Sequence, residues 1–127
     1  MDFECDECGK MFASPLYGIS WERAHTDFSE GDDYPSVVIS CAEVIRNFCS
    51  AKCRDAGGRE KLLAEKEARA TFPDIGPWES CSRCGGGVDM AKEHCSLVEA
   101  TEMDSETGVM QNDIEYLAVF CTKCEPV

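Results

Sequence analysis

Cys5-Asp6-Glu7-Cys8-Gly9 and Cys81-Ser82-Arg83-Cys84-Gly85 are two copies of one short pattern, and their reading decides the fold. Each sets two thiols three positions apart and follows the second with glycine. A tight turn of this spacing points both sulfurs at one metal ion. The glycine supplies the positive φ that aims backbone N–H groups at sulfur. Two further pairs complete the set, in Phe48-Cys49-Ser50-Ala51-Lys52-Cys53 and in Cys121-Thr122-Lys123-Cys124. Two pairs together hold four sulfurs, the closed tetrahedral shell of a structural Zn2+. Taken in chain order they predict two four-cysteine sites: Cys5, Cys8, Cys49 and Cys53, then Cys81, Cys84, Cys121 and Cys124. Forty residues separate the knuckles of the first site and 36 those of the second. Each half therefore reads as knuckle, long excursion, knuckle, a crude repeat of one plan. Crossed pairing between halves is the alternative, and it costs longer loop closures.

Ten cysteines in 127 residues is a density that signals disulfides or metal. The acidic start, Met1-Asp2-Phe3-Glu4, has no apolar signal core, so a cytoplasmic location and metal-bound rather than disulfide-bonded thiols are expected. No apolar run approaches the roughly 20 residues that span a bilayer. The formal net charge is −13. A non-specific nucleic-acid binder neutralises phosphates with Lys and Arg, so direct nucleic-acid binding is not expected, nor is an anionic membrane partner. The charge is segmented. Residues 1–45 hold 10 acids and 2 bases, residues 46–69 hold 4 acids and 7 bases, and residues 70–127 hold 11 acids and 3 bases.

Between the knuckles the pattern alternates in the manner of strands. Residues 16–21 and the β-branched run 36–40 predict a hairpin around the turn cluster Ser29-Glu30-Gly31-Asp32-Asp33. Ser50 is a candidate N-cap for a helix that Gly57-Gly58 interrupts or delays. Residues 59–71 form the better helical stretch, with Lys61/Glu65 and Glu65/Arg69 spaced for i,i+4 pairing, and Pro73 as its stop. A connector at residues 74–78 divides the chain into 1–72 and 73–127. In the second half, residues 94–103 predict a strand that turns at residues 104–108 and returns over 109–111 and 114–120 as another hairpin. The fold class expected is α+β: two small zinc-stabilised halves built on β-hairpins, with one helix between them.

The first half resembles a treble-clef zinc finger of the MYM/TRASH type, on Cys5-x-x-Cys8-Gly9-Lys10 and on Phe48-Cys49-Ser50-x-x-Cys53 followed by a helix. That resemblance implies that Cys49 and Cys53 sit at a turn and in the first helical turn. The second half, Cys81 to Cys124, resembles a generic zinc ribbon. Such fingers specify metal and fold far better than function.

Four thiolates per metal leave no open coordination position, and no His-Glu-x-x-His or His-x-Glu sequence is present, so hydrolytic zinc chemistry is not expected. Thiol exchange needs a stabilised thiolate, and Glu4, Asp6, Glu7 and Glu79 beside the knuckles disfavour one. A thiol redox or electron-transfer protein, with iron bound as in rubredoxin, is therefore the lesser reading. Cys41 and Cys95 have no close partner and read as small buried apolar side chains. His25 and His94 are not expected as ligands, because eight thiols already fill two shells. Trp21, Tyr34 and Trp78 read as core aromatics. The bases of residues 46–69 alternate with Glu60, Glu65 and Glu67, which points to ion pairing along the helix rather than to a phosphate-binding stripe. The function expected is a non-enzymatic interaction module that presents an acidic surface, with clusters such as Glu30, Asp32, Asp33 and Glu102, Asp104, Glu106, to a basic protein partner. An acidic nucleic-acid mimic that inhibits a nucleic-acid enzyme, of the anti-restriction or anti-CRISPR kind, is the alternative. Oligomeric state is left open by the sequence.

Overall fold

The computed structural model describes residues 2–29, 35–74, 76–105 and 108–124. Its largest element is one antiparallel sheet of four long strands: β3 (Leu16–Asp27), β4 (Ser36–Phe48), β7 (His94–Ser105) and β8 (Gly108–Phe120). Their order is β4-β3-β7-β8. The small strands β1 (Phe3–Glu4) with β2 (Met11–Phe12), and β5 (Trp78–Ser80) with β6 (Gly87–Asp89), form one two-stranded hairpin around each N-terminal knuckle. The fold is a small, mostly stranded α+β structure with short helical segments. The strands outrun their sequence expectation: β3 continues past residue 21 to Asp27, and β7 past residue 103 to Ser105. Cross-strand hydrogen bonds sustain pairing through Glu22, Arg23 and His25, which polarity alone would have placed in a turn.

The repeat seen in the sequence is a geometric repeat. Cys5 N–H donates to Lys10 O at 2.9 Å, and Cys81 N–H to Gly86 O at 2.7 Å. Gly9 and Gly85 both adopt φ 77°, and each donates to the carbonyl of the first cysteine of its knuckle at 2.9 Å. Asp6 N–H donates to Asn47 O and Ser82 N–H to Val119 O, both at 2.8 Å. Tyr17 lies opposite Phe48 in the first hairpin, and Cys95 opposite Phe120 in the second. The hairpins meet through β3 and β7 in register Tyr17↔Thr101, Ser20↔Val98 and Arg23↔Cys95. Matching Tyr17 to Cys95 through their partners Phe48 and Phe120 relates the halves by an approximate two-fold centred on the pair Ser20↔Val98. The halves divided at residue 72 thus share one sheet, and their knuckle clusters lie at its opposite ends, on the order of 20 Å apart by strand rise.

One face of the sheet carries Tyr17, Ile19, Trp21 and Leu97, which pack with Phe48, Leu62, Leu63, Leu117 and Phe120 into the larger core. The helical segment lies on this face. Ser50 caps α1 (Ala51–Cys53), accepting from Cys53 N–H at 3.1 Å. A wider turn, Arg54–Gly58, follows before α2 (Arg59–Glu65). The break falls on Gly57-Gly58 for two reasons. Gly57 takes φ 123°, and a Cβ on Gly58 would lie 2.4 Å from the Phe48 ring.

α2 ends at Glu65, six residues short of the expected Thr71. Glu67 N–H bonds to Ala64 O and Ala68 N–H to Leu63 O, a Schellman closure with Glu67 in the left-handed region at φ 54°. The segment beyond bonds to the second half instead: Arg69 N–H to Ser82 O, and Thr71 and Phe72 N–H to Leu117 O. Tertiary acceptors thus end the helix before Pro73 does. The expected i,i+4 pairs are replaced as well, since Glu65 meets Arg46 and Lys61 meets Glu7 at 2.9 Å.

Two further expectations are corrected. Cys41 is exposed, not buried, because residues 36–44 of the edge strand β4 are exposed throughout, while Cys95 on the central strand is fully buried. Trp78 is 67 % exposed at the margin of the second knuckle rather than in a core; Trp21 is half-buried, 5.5 Å from the Phe120 ring. Tyr34, the turn residues 30–33 and Glu106 lie outside the described residues. No helix among the described residues is long and apolar enough to cross a membrane.

Candidate metal centres

All eight cysteines expected as ligands are gathered into two clusters of four, Cys5/Cys8/Cys49/Cys53 and Cys81/Cys84/Cys121/Cys124. Within each cluster every sulfur lies within 4.8 Å of the others. Pairing is within each half, not crossed. The way the chain builds each centre follows from its local structure. The hairpin β1-β2 or β5-β6 presents the C-x-x-C-G turn. The long hairpin then returns its last strand beside that turn and delivers the next cysteine directly after Phe48 or Phe120. These two phenylalanines are 1 % and 0 % exposed, so each second knuckle is anchored in the core one residue before its ligand. In the first centre Cys53 closes the set from the end of α1; in the second, Cys124 does so from a turn whose N–H bonds to Cys121 O at 3.0 Å.

The distances fit a metal. Cys8–Cys49, Cys49–Cys53 and Cys84–Cys121 sulfurs are 3.7 Å apart. A tetrahedral ion with metal–sulfur bonds of about 2.3 Å sets sulfurs about 3.8 Å apart. A disulfide needs about 2.05 Å, and the eight cluster cysteines are free thiols. Backbone donors also converge on the clusters: Gly86 N–H to Cys84 Sγ and Cys121 N–H to Cys81 Sγ, both at 3.4 Å.

Charge balance leads to the same conclusion. Burial by itself pushes the Cys5 thiol up, but the backbone N–H groups of Cys8, Cys49 and Glu7 outweigh it and bring the thiol down to about 6. Cys81 is likewise brought to about 6, its burial outweighed by the N–H groups of Cys84, Cys121 and Arg83. Within the same clusters burial and the neighbouring thiols push Cys49 and Cys124 up to about 12. One thiolate per cluster is stabilised chiefly by backbone N–H groups, and a bound cation would favour the thiolate form of the others. Both four-sulfur groups could therefore hold a metal ion, with all four corners of a tetrahedron filled by protein.

The surroundings hold the centres in place. Ser82, inside the second knuckle and 2 % exposed, accepts from Val119 N–H at 3.1 Å and meets the Thr71 hydroxyl at 2.9 Å, which ties the connector to the metal turn. Asp6, its counterpart, accepts from Asn47 N–H at 2.7 Å. His94 is buried on β7 with Nδ1 2.8 Å from Lys92 O, and His25 is half-buried on β3 opposite Val38.

Sequence reasoning missed two buried carboxylates. Glu99, 2 % exposed on the helix side of the sheet, accepts from Arg59 Nη2 at 2.9 Å and lies 3.6 Å from Arg54 Nε. Glu22, on the opposite face, accepts from the Tyr116 hydroxyl at 2.9 Å. Neither shows a local signal, because each finds its partner on another strand or helix. No protein family, curated protein or solved structure matches the chain.

Proposed function

We propose that the protein is a non-enzymatic module in which two structural Zn2+ ions, one per four-cysteine cluster, fix a surface that binds a basic protein partner. The first centre is read as treble-clef-like and the second as a zinc ribbon. Zinc suits closed four-thiolate shells, and such shells serve folding rather than chemistry because no corner is left for a substrate. The observation that carries the interaction reading is where the cations go. Of the seven bases in residues 46–69, Arg46 pairs with Glu65, Arg59 with Asp55 and Glu99, Arg54 with Asp55 and Glu99, and Lys61 with Glu7. Four of the seven bases of this segment are thus held in ion pairs within the protein. Glu4, Asp27, Glu43, Glu60, Glu93, Asp104, Asp113 and Glu115 are exposed, on a chain of formal net charge −13. Such a surface attracts a basic protein and repels phosphate.

The test is a paired binding measurement on the zinc-loaded chain. A lysine-rich peptide and a DNA duplex are each titrated at about 50 and about 300 mM salt, a range over which phosphate or carboxylate contacts weaken strongly. The peptide is expected to bind with affinity that falls steeply with salt, and the duplex not at all. Duplex binding, or peptide affinity unchanged by reversing Glu43, Glu60, Asp104 and Glu115 to Lys, would refute the reading.

A further inference from the structure

The sheet face turned away from the helix holds a cavity of about 220 Å³. All four strands contribute to its lining. Ser20 and Val98, the residues on the two-fold axis, lie in its lining. Its walls are aliphatic, with Ile39 and Ala42 from β4, Val98 from β7 and Ile114 from β8. Its polar groups include the carboxylate of Glu22 and the hydroxyl of Tyr116.

Glu22 is 5 % exposed. Its partners among the described residues are the Tyr116 hydroxyl and, through space, the imidazole of His94. Burial raises its carboxyl above the ordinary range. The contrast with Glu99 is informative. The carboxylate buried on the helix face lies within ion-pairing reach of two arginines, whereas none of the described ion pairs includes the carboxylate buried in the cavity. A buried carboxylate is costly without a cation, and here it lines an opening rather than a sealed core. Ile39 and Ile114, 52 % and 55 % exposed, lie where an entering chain would cover them.

We propose that this cavity receives a lysine side chain of the basic partner, its ammonium on Glu22 and its methylene stem against Ile39, Ala42, Val98 and Ile114. The proposal deepens the interaction reading and rests on it for the partner's charge. The volume lies below the roughly 300–1,000 Å³ of a cofactor or drug-sized site, so a single side chain is the better occupant. With one oxygen of Glu22 already held by Tyr116, a compact ammonium is served better than the two-pronged guanidinium of arginine, which seeks both carboxylate oxygens.

The experiment is amide NMR of the zinc-loaded, isotope-labelled full chain, titrated with Nα-acetyl-lysine N-methylamide. Saturable shifts are expected at Glu22, Val98 and Tyr116. The Nε-acetylated probe should give none, and Glu22→Gln should weaken binding at least tenfold. Ala42→Phe, at the register position opposite Glu22, should block the cavity while leaving the carboxylate in place, with retained zinc and spectral dispersion as the folding control. A lysine-rich peptide is titrated in parallel. If the peptide binds wild type, Glu22→Gln and Ala42→Phe equally and the cavity amides do not move, the cavity proposal is overturned and the acidic-surface reading stands. If neither the probe nor the peptide binds, both fall. Shifts of equal size with the acetylated probe would also overturn the assignment of Glu22 as the receptor of the charge.

Discussion

Replacing Gly58 by alanine sets two calculable effects against each other. Gly58 has φ −58° and ψ −46°, ordinary helical values, so the backbone accepts alanine and the unfolded chain loses entropy. That alone would stabilise by about 0.5–1 kcal/mol. The new methyl, however, would sit 2.4 Å from Phe48 Cε1 and 2.6 Å from Cζ. Carbon atoms rest at about 3.5–4.0 Å, so the ring must retreat by about 1 Å. Phe48 is 1 % exposed and directly precedes Cys49, so the ring has no void to enter and any shift is passed to the first metal centre. Overpacking of this kind costs about 1–3 kcal/mol. The clash should win, with a net loss of about 1–2 kcal/mol and a fall in Tm of roughly 3–8 °C for a chain of this size. Thermal and urea unfolding of the zinc-loaded protein, followed by circular dichroism, measures it. Chelator competition should also release the first zinc faster than the second. Phe48→Leu supplies the cycle: the shorter side chain should be less damaging in the Gly58→Ala background than in wild type, with a coupling of about 1 kcal/mol. A Gly58→Ala protein that melts at or above wild type would show that Phe48 does not lie beneath the helix break, and the account of that break would be wrong.

Three other outcomes are expected. Cys8→Ser and Cys84→Ser should each bind one zinc instead of two by native mass spectrometry, with amide protection lost first around β1-β2 and α1 in the former and β5-β6 in the latter; two ions retained in either would refute the ligand assignment. Glu67→Gly relieves a non-glycine residue at φ 54° in the helix closure and should stabilise by about 1 kcal/mol, visible as a higher urea midpoint. Glu22 has a raised carboxyl in the fold, so its ionisation opposes folding: its contribution is fully favourable below the unfolded titration near about pH 4.3 and is lost as pH rises through the folded value. Glu22→Gln, with Tyr116 and His94 unchanged, should therefore gain stability relative to wild type as pH rises from the unfolded titration through the folded one, and a difference that never changes from acid pH upward would contradict a buried, reluctantly ionised Glu22.

Local spacing made the members of the two four-cysteine clusters legible. Cys5 and Cys8, or Cys81 and Cys84, are brought together by a single tight turn, and the glycine after each pair takes the positive φ that the turn demands. Ser50 as N-cap and Gly57-Gly58 as helix break were legible for the same reason, since capping and backbone strain act within a few residues. The helix end was not. Residues 66–71 have adequate helical propensity, but the carbonyls of Ser82 and Leu117, far along the chain, offer acceptors that no local window of sequence contains.

The residue order by itself thus determined which eight cysteines form close pairs and that hairpins join the knuckles, because those features depend on contacts within a turn or along one strand, whereas the uncrossed grouping of the pairs came from the tertiary structure. Only the tertiary structure decided that β3 and β7 pair, that the two halves form a single sheet about an axis near Ser20 and Val98, and that four of the seven cations of residues 46–69 pair with Glu7, Asp55, Glu65 and Glu99. It alone placed Glu99 under arginines and Glu22 in an open cavity. Strand pairing and burial are properties of distant residues meeting in space, and a carboxylate's partner is set by which face of the sheet it occupies, not by its neighbours in the chain.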